Sequence, residues 1–318
     1  MSGAPVLYVV VPCYNEEEVL PETSARMNEF MDELTAEGRI DAASHILFVD
    51  DGSRDATWSI IGRLSQEHER VEGLKLAHNA GHQNALWAGM MSVKGKADAV
   101  VTIDADLQDD IHAIRGFLEK YAEGCEVVYG VRSKREKDTT FKRVTAQGFY
   151  RLMQKLGVDM VYNHADYRLL GRRALEALSQ FTEENMFLRG LVPLVGFKSA
   201  EVTYERGVRF AGESKYPLKK MVAFAIEGIT SFSIRPVRWV ALIGILFALL
   251  GVVMALYALI SLMCGQVVPG WTSIMVSIWI IGGVQLIALG LIGEYVGKVY
   301  SEVKRRPKYI VEEYLEKK

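Results

Sequence analysis

A long uncharged segment near the C-terminus constrains this sequence most, since no Asp, Glu, Lys or Arg occurs from Trp239 to Gly293. A helix needs about 20 apolar residues to cross a bilayer, so the segment is too long for one crossing and suits two. The proline and glycines in Cys264–Gly270 predict a turn between the two. We therefore predict a two-helix transmembrane hairpin at about 237–263 and 271–296. Two helices buried in a soluble core are the alternative, although uncharged segments of this length are rare outside lipid.

Positive charge lies on both flanks of the hairpin, which predicts that both termini face the cytoplasm. The basic residues concerned are Arg235, Arg238, Lys298, Lys304, Arg305, Arg306 and Lys308. The apolar run near the N-terminus is too short for a signal peptide and has no basic residues before it. The expected location is the inner (cytoplasmic) membrane of the cell, with more than one crossing.

The overall composition excludes several classes of protein. With 37 Lys and Arg against 39 Asp and Glu, no overall basic field favours nucleic acid as a partner. The cysteines Cys13, Cys125 and Cys264 are far apart and have no histidine at metal-ligand spacing. This argues against a zinc site and a disulfide scaffold, and fits a reducing compartment.

Composition also divides the chain into four parts. Residues 1–205 are the predicted cytoplasmic domain, and residues 206–236 hold a basic loop followed by a juxtamembrane helix. The apolar residues of that helix recur at helical spacing, which is typical of a helix on a membrane surface; packing on its own domain is the alternative. Residues 237–297 form the hairpin and residues 298–318 a cytoplasmic basic tail.

The first half of the chain alternates apolar, β-rich runs with helical stretches. Runs at 6–12, 45–50, 74–77, 98–104 and 126–130 are the predicted strands. Strands that are apolar throughout and alternate with helices indicate a parallel sheet covered on both faces. Each strand ends in polar residues: CYNEE, DDGS, HNAGHQ, DADLQD and GVRS. Since ligands bind at the carboxyl ends of such strands, this edge is the predicted site.

Two aspartates at the fourth strand end predict a metal ion. Strand residues i and i+2 face the same way, so Asp104 and Asp106 are predicted to aim two carboxylates in one direction. Such charges repel each other unless a cation lies between them. Magnesium uses one or two protein carboxylates and takes other oxygens from water and phosphates, so we predict a metal held against a diphosphate. Chance pairs and helix caps are the alternative, as Asp109 and Asp110 illustrate before the predicted helix.

The DDGS segment supports a nucleotide site of the same kind. Adjacent strand residues point in opposite directions, so Asp50 and Asp51 are expected to differ in role. One accepts hydrogen bonds from a base or ribose, and the other fixes the turn with Gly52. No G-x-G-x-x-G follows the first strand and no G-x-x-x-x-G-K-[ST] occurs, which argues against dinucleotide oxidoreductases and P-loop ATPases.

In this order and spacing, VVPCYNEEEVL, VDDGSRDAT, NAGHQNAL, DADLQD and GVRS resemble family 2 glycosyltransferases. The resemblance implies a GT-A type α/β fold, a Rossmann-like, mostly parallel sheet with helices on both faces. The segments HADYRLLGRRAL, RFAGESKY and LIGEYVGKVYSEVKRRPKYIV narrow the resemblance to polyprenyl-phosphate glycosyltransferases. That group includes bactoprenol glucosyltransferases, undecaprenyl-phosphate aminoarabinose transferases and dolichol-phosphate mannose synthases.

The resemblance also implies roles for individual residues. The nucleotide-sugar pocket would be lined by Pro12, Tyr14, Asn15, Glu16, Asp50, Asp51, Asn79, Asp104 and Arg132. Mg²⁺ or Mn²⁺ would be held by Asp104 and Asp106, with Gln108 close by. The lipid phosphate would be bound by Lys142, Arg143, Arg209, Ser214 and Lys215, and the catalytic residues would be Asp166, Arg209 and Lys215. Asp110-Ile111 replaces common prolines, and His78 with Ala80 replaces a frequent Arg and aromatic residue, so the sugar is left open.

The implied reaction is an inverting, in-line transfer of a sugar from a UDP- or GDP-linked donor to polyprenyl phosphate in membrane lipid. Asp166 matches the family's general base. A phosphate monoester has a second pKa of about 6, so the acceptor is already largely dianionic at neutral pH. Asp166 therefore either takes a proton, or orients the acceptor or Arg168, or only pairs with Arg168. Association with a second copy of the chain is a further expectation.

Three other functions compete with this interpretation. A processive polysaccharide synthase carries Q-x-x-R-W, but Arg235 stands at the glutamine position. A sugar-1-phosphate nucleotidyltransferase has a glycine-rich N-terminal loop, which is missing here. A non-catalytic membrane scaffold would have lost metal-dependent donor binding. The histidines offer no metal set, and His78 and His82 are interpreted as local polar contacts.

Overall fold

The computed structural model describes residues 3–132, 164–184, 186–205, 207 and 270–317, together with isolated positions between 237 and 263. The chain divides into two compact units. The first comprises Met1–Tyr150, Asp159–Tyr216 and Arg306–Lys318, and the second comprises Arg151–Val158 and Pro217–Arg305.

Helices alternate with strands along most of the described part of the first unit. The elements are β1 (Leu7–Cys13), α1 (Leu20–Ala36), β2 (His45–Asp50), α2 (Thr57–Glu67), β3 (Val71–Leu76), α3 (His82–Val93), β4 (Ala99–Thr102), α4 (Ala113–Ala122), β5 (Val127–Arg132), β6 (His164–Gly171), α5 (Arg172–Leu178), α6 (Leu188–Leu194), β7 (Ser199–Tyr204) and β8 (Val311–Leu315).

The described strands form one eight-stranded sheet in the order β7-β5-β6-β4-β1-β2-β3-β8. The pairs β4-β1, β1-β2, β2-β3 and β5-β7 are parallel, whereas β6 and β8 run antiparallel to their neighbours. The register places Val10 of β1 between Leu47 of β2 and Thr102 of β4. The predicted α/β fold with a mostly parallel sheet is therefore confirmed.

The apolar pattern of β1 explains why helices cover both faces of this sheet. Val9 and Val11 belong to the buried core that includes Phe30 of α1 and Phe117 of α4. Val10 faces the other side, where a Cβ atom added to Gly89 of α3 would lie 2.4 Å from a Val10 methyl carbon. Because successive strand residues face opposite sides, a run that is apolar throughout packs against helices on both.

Two of the differences between the observed and the predicted strands bear on the site and on the C-terminal tail. β4 ends at Thr102, so Asp104 and Asp106 lie in the turn that follows the strand rather than in the strand itself. Ile103 and Ala105 are nevertheless buried, which leaves both aspartates on the outer side of the turn. The second difference is β8, which falls within the segment predicted as a basic tail and pairs with β3 at the edge of the sheet.

The second unit contains α7 (Trp271–Lys304), which begins where the second membrane helix was predicted and continues past residue 296. Within the described residues, the section Ile280–Lys304 is the one helix long and apolar enough to cross a bilayer. It exposes large apolar side chains, including Leu286 and Ile287. The prediction for 237–263 falls mostly outside the described residues, and the described positions there are helical. The predicted loop and juxtamembrane helix at 206–236 lie outside the described residues, except for Gly207.

Candidate active site

The loops after β1 and β2 are tied together by backbone-to-side-chain hydrogen bonds. The Asn15 amide donates to Ser53 Oγ at 3.0 Å, and Asn15 Oδ1 accepts from the Arg54 amide at 2.9 Å. The Glu16 amide donates to Thr57 Oγ1 at 2.9 Å. Asn15 has a φ of 55°, a conformation that Asn tolerates better than most residues. Pro12 lies in β1, and Tyr14 is 43% exposed beside this pair of loops.

Asp51 connects the loop after β2 to the loop before α3. Its two carboxylate oxygens accept hydrogen bonds from the amides of Ala80 at 2.7 Å and Gly81 at 3.0 Å. Asp50 accepts one from the Ser53 amide at 3.2 Å. Both aspartates are buried, and burial raises the pKa of each. The two aspartates thus have separate hydrogen-bond partners, and their different roles towards a ligand stay a prediction.

Gly52 allows these two loops to approach each other closely. Its φ is +65°, and a Cβ atom there would lie 2.6 Å from the amide nitrogen of Asn79. Any other residue would combine an unfavourable backbone conformation with a clash against backbone. Asn79 itself is exposed at this contact. Three of the predicted polar strand ends therefore form one continuous rim at the carboxyl edge of the sheet.

The Asp104–Asp106 turn completes the rim on the β4 side. The Asp104 side chain is 39% exposed, and Asp106 Oδ1 accepts a hydrogen bond from the Gln108 amide at 3.2 Å. Burial, and then the carboxylates of Asp109, Asp166 and Asp106, raise the pKa of Asp104, although the charge of His82 opposes them. Gln108 is buried, and its carbonyl accepts from the Gly207 amide at 2.8 Å.

This turn fits a divalent cation that takes most of its ligands from elsewhere. An accessible carboxylate surrounded by other carboxylates attracts a cation. In the part of the chain that the structure describes, no three His, Cys, Asp or Glu side chains are grouped to hold a metal alone. Magnesium and manganese commonly complete their shells with water and phosphate oxygens. The residues present therefore suit a metal that is bound together with a diphosphate.

Asp166 lies on β6, beside the end of β4, at the centre of a cluster of basic and amide side chains. Arg168 Nη2 donates to its Oδ1 at 2.5 Å, Arg189 Nη2 to its Oδ2 at 3.0 Å and Gln83 Nε2 to its Oδ2 at 3.2 Å. The backbone carbonyl of Asp166 accepts from the hydroxyl of Thr102. These residues, with His82, are called the Asp166 cluster below.

The Asp166 cluster holds its carboxylate in the ionised form. Burial raises the pKa of Asp166, but His82, Arg189 and Arg168 outweigh burial and bring the pKa well below its ordinary value. Arg168 is buried, and its Nη1 also donates to the Leu188 carbonyl at 3.2 Å. A carboxylate stabilised to this extent is a weak base.

Arg132, predicted to contact phosphate, holds the chain that follows the Asp104–Asp106 turn. Its Nη2 lies 3.4 Å from Asp109 Oδ1, and its Nε donates to the Tyr204 hydroxyl at 3.2 Å. That hydroxyl donates to Asp109 at 2.6 Å. Burial lowers the pKa of Arg132, but Asp109 outweighs it and the pKa is raised. The guanidinium therefore links β5, β7 and the turn after β4.

Five predicted site residues lie outside the described residues: Lys142, Arg143, Arg209, Ser214 and Lys215. Their assignments stay predictions. Conversely, the sequence analysis missed Arg189, Gln83 and the position of His82, whose Nε2 lies 3.7 Å from both Asp104 and Asp166. His82 and Gln83 belong to the NAGHQNAL segment at a predicted strand end, which was the available signal.

Comparison with known proteins gives consistent results. The family described as Glycosyl transferase family 2 matches residues 8–179. The uncharacterized glycosyltransferase YkoT of Bacillus subtilis (strain 168) is 56% identical over 98% of this chain and 92% of that protein. The SfII prophage-derived bactoprenol glucosyl transferase of Shigella flexneri is 40% identical over 95% of this chain and 96% of that protein. Glucosyl-3-phosphoglycerate synthase from Mycobacterium tuberculosis, solved with Mn²⁺, UDP and phosphoglyceric acid, has a TM-score of 0.48 and 18% identity, covering 71% of this chain and 76% of that chain.

The α/β fold and its relatives define an enzyme that transfers glycosyl groups, with the GT-A type of architecture. The chain belongs to glycosyl transferase family 2.

Proposed function

We propose that this enzyme transfers a sugar from a UDP- or GDP-linked donor to polyprenyl phosphate at the cytoplasmic face of the inner membrane. The observation that carries the proposal is the length of the similarity to the Shigella flexneri bactoprenol glucosyl transferase. It extends over 95% of this chain and 96% of that protein, so it includes the C-terminal apolar helix as well as the sheet. An acceptor that stays in the bilayer explains why an apolar helix and a glycosyltransferase sheet occur in one chain.

The donor would bind along the rim formed by the loops after β1, β2 and β3 and the turn after β4. Asp50 and Asp51 hold these loops through backbone amides, which fixes the pocket before the donor arrives. Asp104 and Asp106, with Gln108 close by, would hold Mg²⁺ or Mn²⁺, which supplies positive charge to the diphosphate when bound. Asn79 is exposed on this rim, within reach of a ligand.

In the proposed reaction, an oxygen of the acceptor phosphate attacks the anomeric carbon while the bond from that carbon to the diphosphate breaks. A single displacement of this kind inverts the anomeric configuration. The nucleoside diphosphate leaves with the electron pair of the broken bond. Arg209 and Lys215 remain the proposed residues for stabilising its charge.

The surroundings of Asp166 support an orienting role over that of a general base. Its pKa is well below the ordinary range, and a phosphate monoester with a second pKa of about 6 brings little proton to remove at neutral pH. Asp166 is therefore proposed to fix Arg189 and Arg168 at the end of β4. Arg189 is 31% exposed, so it stands between the buried carboxylate and the open side of the site.

We also propose that the membrane anchor is a hairpin, with helices at about 237–263 and 271–296 and both termini in the cytoplasm. The apolar section Ile280–Lys304 supports one crossing. The β8 strand follows that helix along the chain and pairs with β3 of the domain that contains the donor rim, which supports a cytoplasmic C-terminus. A second crossing at about 237–263 would place the residues that precede it on the cytoplasmic side of the membrane, the same side as the C-terminus.

Turnover with defined substrates tests the proposal. Full-length protein in detergent is incubated with a panel of UDP- and GDP-sugars and undecaprenyl phosphate, and both nucleoside diphosphate release and lipid mass are followed. We expect release from one donor that requires the lipid, with the matching mass gain on the lipid. EDTA should abolish it and Mg²⁺ or Mn²⁺ should restore it. Asp104→Asn is expected to lower turnover roughly 1,000-fold, because the metal contributes several kcal/mol to charge stabilisation.

Release that is equal with and without the lipid would contradict the proposed acceptor. Full turnover in EDTA would contradict the proposed metal. Metal-dependent nucleotide binding without turnover of any donor would favour a transferase with a different acceptor, whereas loss of both would favour a non-catalytic scaffold.

A further inference from the structure

Arg189, on α6, is a partly exposed arginine of the Asp166 cluster. Its Nε donates to Asp166 Oδ1 at 3.3 Å, and its Nη2 donates to Asp166 Oδ2 at 3.0 Å. The carboxylate is 8% exposed, whereas the arginine side chain is 31% exposed. Two N–H groups of one planar guanidinium on the two oxygens of one carboxylate fix the plane of the arginine. Arg189 therefore combines a defined orientation with an accessible part.

The backbone before Arg189 is held by the same cluster. The Leu188 amide donates to Gln83 Oε1 at 3.2 Å, and the Leu188 carbonyl accepts from Arg168 Nη1 at 3.2 Å. Gln83 and Arg168 also donate to Asp166, at 3.2 Å and 2.5 Å. Both side chains thus connect the Asp166 carboxylate to the backbone that precedes Arg189. A guanidinium positioned in this way binds an anion at a lower entropic cost than a mobile one.

The pairing of charges around Asp166 leaves positive charge on the accessible side. Asp166 is paired with two guanidiniums, those of Arg168 and Arg189. The Arg168 side chain is 2% exposed, so its charge is matched to the carboxylate inside the protein. The charge of Arg189 is then the one that meets solvent. Because a guanidinium binds phosphate oxygens through paired N–H groups, this position suits a phosphate.

The location of Arg189 separates its role from that of the metal ligands. Contacts lead from Asp104 to His82 at 3.7 Å, from His82 to Asp166 at 3.7 Å, and from Asp166 to Arg189 at 3.0 Å. An anion on Arg189 would thus lie near the Asp104–Asp106 turn, but it would be held by a residue that is no metal ligand. In the reaction proposed above, the acceptor phosphate is the anion that approaches a diphosphate held by the metal.

We propose that Arg189 binds the phosphate of the acceptor and that Asp166 fixes the guanidinium for this contact. The inference rests on the proposed function, in which the acceptor is a polyprenyl phosphate. A guanidinium at this point lowers the repulsion between the acceptor phosphate and the donor diphosphate. It also holds the acceptor so that one phosphate oxygen faces the anomeric carbon.

The test compares Arg189→Gln, Arg189→Lys and a control, Arg63→Gln, in the full-length protein in detergent. Arg63 is a matched control because it is also an arginine beside a carboxylate, 4.0 Å from Glu67 on α2, and is 61% exposed. Binding of farnesyl phosphate, a short polyprenyl phosphate, is measured by calorimetry without donor. Mn²⁺-dependent binding of nucleoside diphosphate is measured without acceptor. Turnover gives the KM values for undecaprenyl phosphate and for the donor.

We expect Arg189→Gln to weaken farnesyl phosphate binding about 10- to 100-fold, the effect of losing a hydrogen bond between charged groups, and to raise the KM for undecaprenyl phosphate similarly. Nucleoside diphosphate affinity and donor KM should stay within about threefold, because the lost charge acts on the donor only at longer range. Arg189→Lys keeps the charge but loses the paired N–H groups, so it should lie between the wild type and Arg189→Gln. Arg63→Gln should match the wild type in every measurement.

Unchanged farnesyl phosphate binding in Arg189→Gln would overturn the proposal. A loss confined to nucleoside diphosphate would also overturn it and assign Arg189 to the leaving group. Equal loss of both ligands in both Arg189 variants, with lower unfolding midpoints, would replace it with a structural role.

The calorimetric measurement needs no sugar transfer, so it separates this proposal from the proposed function. If the wild type binds farnesyl phosphate through Arg189 but transfers no sugar to undecaprenyl phosphate, the proposed function fails and the phosphate site stands. A wild type that transfers sugar but does not bind farnesyl phosphate would overturn the phosphate site alone.

Discussion

Asp166 and Glu72 are both buried carboxylates of the same sheet, 7% and 0% exposed, but they lie at opposite ends of it. Asp166 is beside the carboxyl end of β4 and is paired with two arginines. Glu72 is near the amino end of β3, where its Oε2 accepts from the Tyr314 hydroxyl at 2.7 Å and its Oε1 from the Lys317 amide at 3.3 Å.

The partners of the two carboxylates differ in kind. Those of Asp166 are mostly charged, and Arg189 and His82 among them are partly exposed. Those of Glu72 come mainly from Tyr314 of the C-terminal strand β8 and from Lys317, two residues past its end, with His45 Nδ1 at 3.8 Å. A charged, accessible cluster suits the binding of anions, whereas a carboxylate covered by the chain's own end suits attachment of that strand. Burial alone therefore does not distinguish a carboxylate of a binding site from one with a structural role. The nature and exposure of its partners make that distinction.

Between the two carboxylates compared here, Asp166→Asn has the larger expected effect on turnover. It removes the charge that fixes Arg168 and Arg189, and we expect kcat to fall about 100-fold. The shape of the pH–rate profile should be unchanged, because Asp166 is already ionised throughout the working range. Glu72→Gln is the matched control, the same chemical change at the other end of the sheet, and should keep kcat within about twofold.

The difference in stability between the wild type and Asp166→Asn is expected to depend on pH. An acid with a lowered folded pKa stabilises the protein above its unfolded pKa of about 3.9, and that contribution is lost as the pH falls through the folded value. The stability difference between wild type and Asp166→Asn should therefore persist at neutral pH and shrink below about pH 4. A lost acidic limb in the rate profile of Asp166→Asn would instead identify Asp166 as the base.

The sequence predicted much of the carboxyl edge of the sheet, where Asp166 lies, but not the opposite end, where Glu72 lies. Alternating apolar runs and polar strand ends predicted the sheet and named Asp50, Asp51 and Asp104 as site candidates, and the resemblance to family 2 glycosyltransferases added Asp166. Each of these follows from local pattern or from a short motif. The neighbours of Asp166 do not, because they depend on β6 inserting antiparallel beside β4, a pairing between residues about 70 positions apart.

The other end of the sheet left no such local signal. Glu72 and Tyr314 are separated by 242 residues, and the intervening uncharged segment suggested that the tail was only a basic extension. The short run Val311–Leu315 gains its structure by pairing with β3, since an isolated strand of this length is not stable. Tertiary pairing with β3, rather than composition, therefore determines that Val311–Leu315 forms a strand.

Tyr314→Phe has the next largest expected effect, and it acts on stability rather than on turnover. It deletes a hydrogen bond to a buried carboxylate, which is worth about 1.5–3 kcal/mol. The midpoint of thermal unfolding, followed by intrinsic fluorescence in detergent, should fall. Glu313→Gln on the same strand, at an exposed position, should change stability by less than about 0.5 kcal/mol. Equal losses in the two variants would show that β8 contributes through its backbone alone.

Asp50→Asn is expected to have the smallest effect and the opposite sign. Among the described residues, Asp50 Oδ2 is buried without a hydrogen-bond partner, and burial raises the pKa of this acid. The folded protein thus binds the proton more tightly than the unfolded chain, so the wild type loses stability as the pH rises through the folded pKa. The amide variant, which cannot ionise, should gain on the wild type over that range by about 1 kcal/mol and then stay level. Unfolding midpoints of both proteins measure this from about pH 3, below the unfolded pKa of about 3.9, to about pH 8. A variant that is less stable at every pH would mean that the ionised Asp50 carboxylate has a favourable partner in the folded protein. Asp50 would then resemble Asp166, whose ionised form is stabilised by its neighbours.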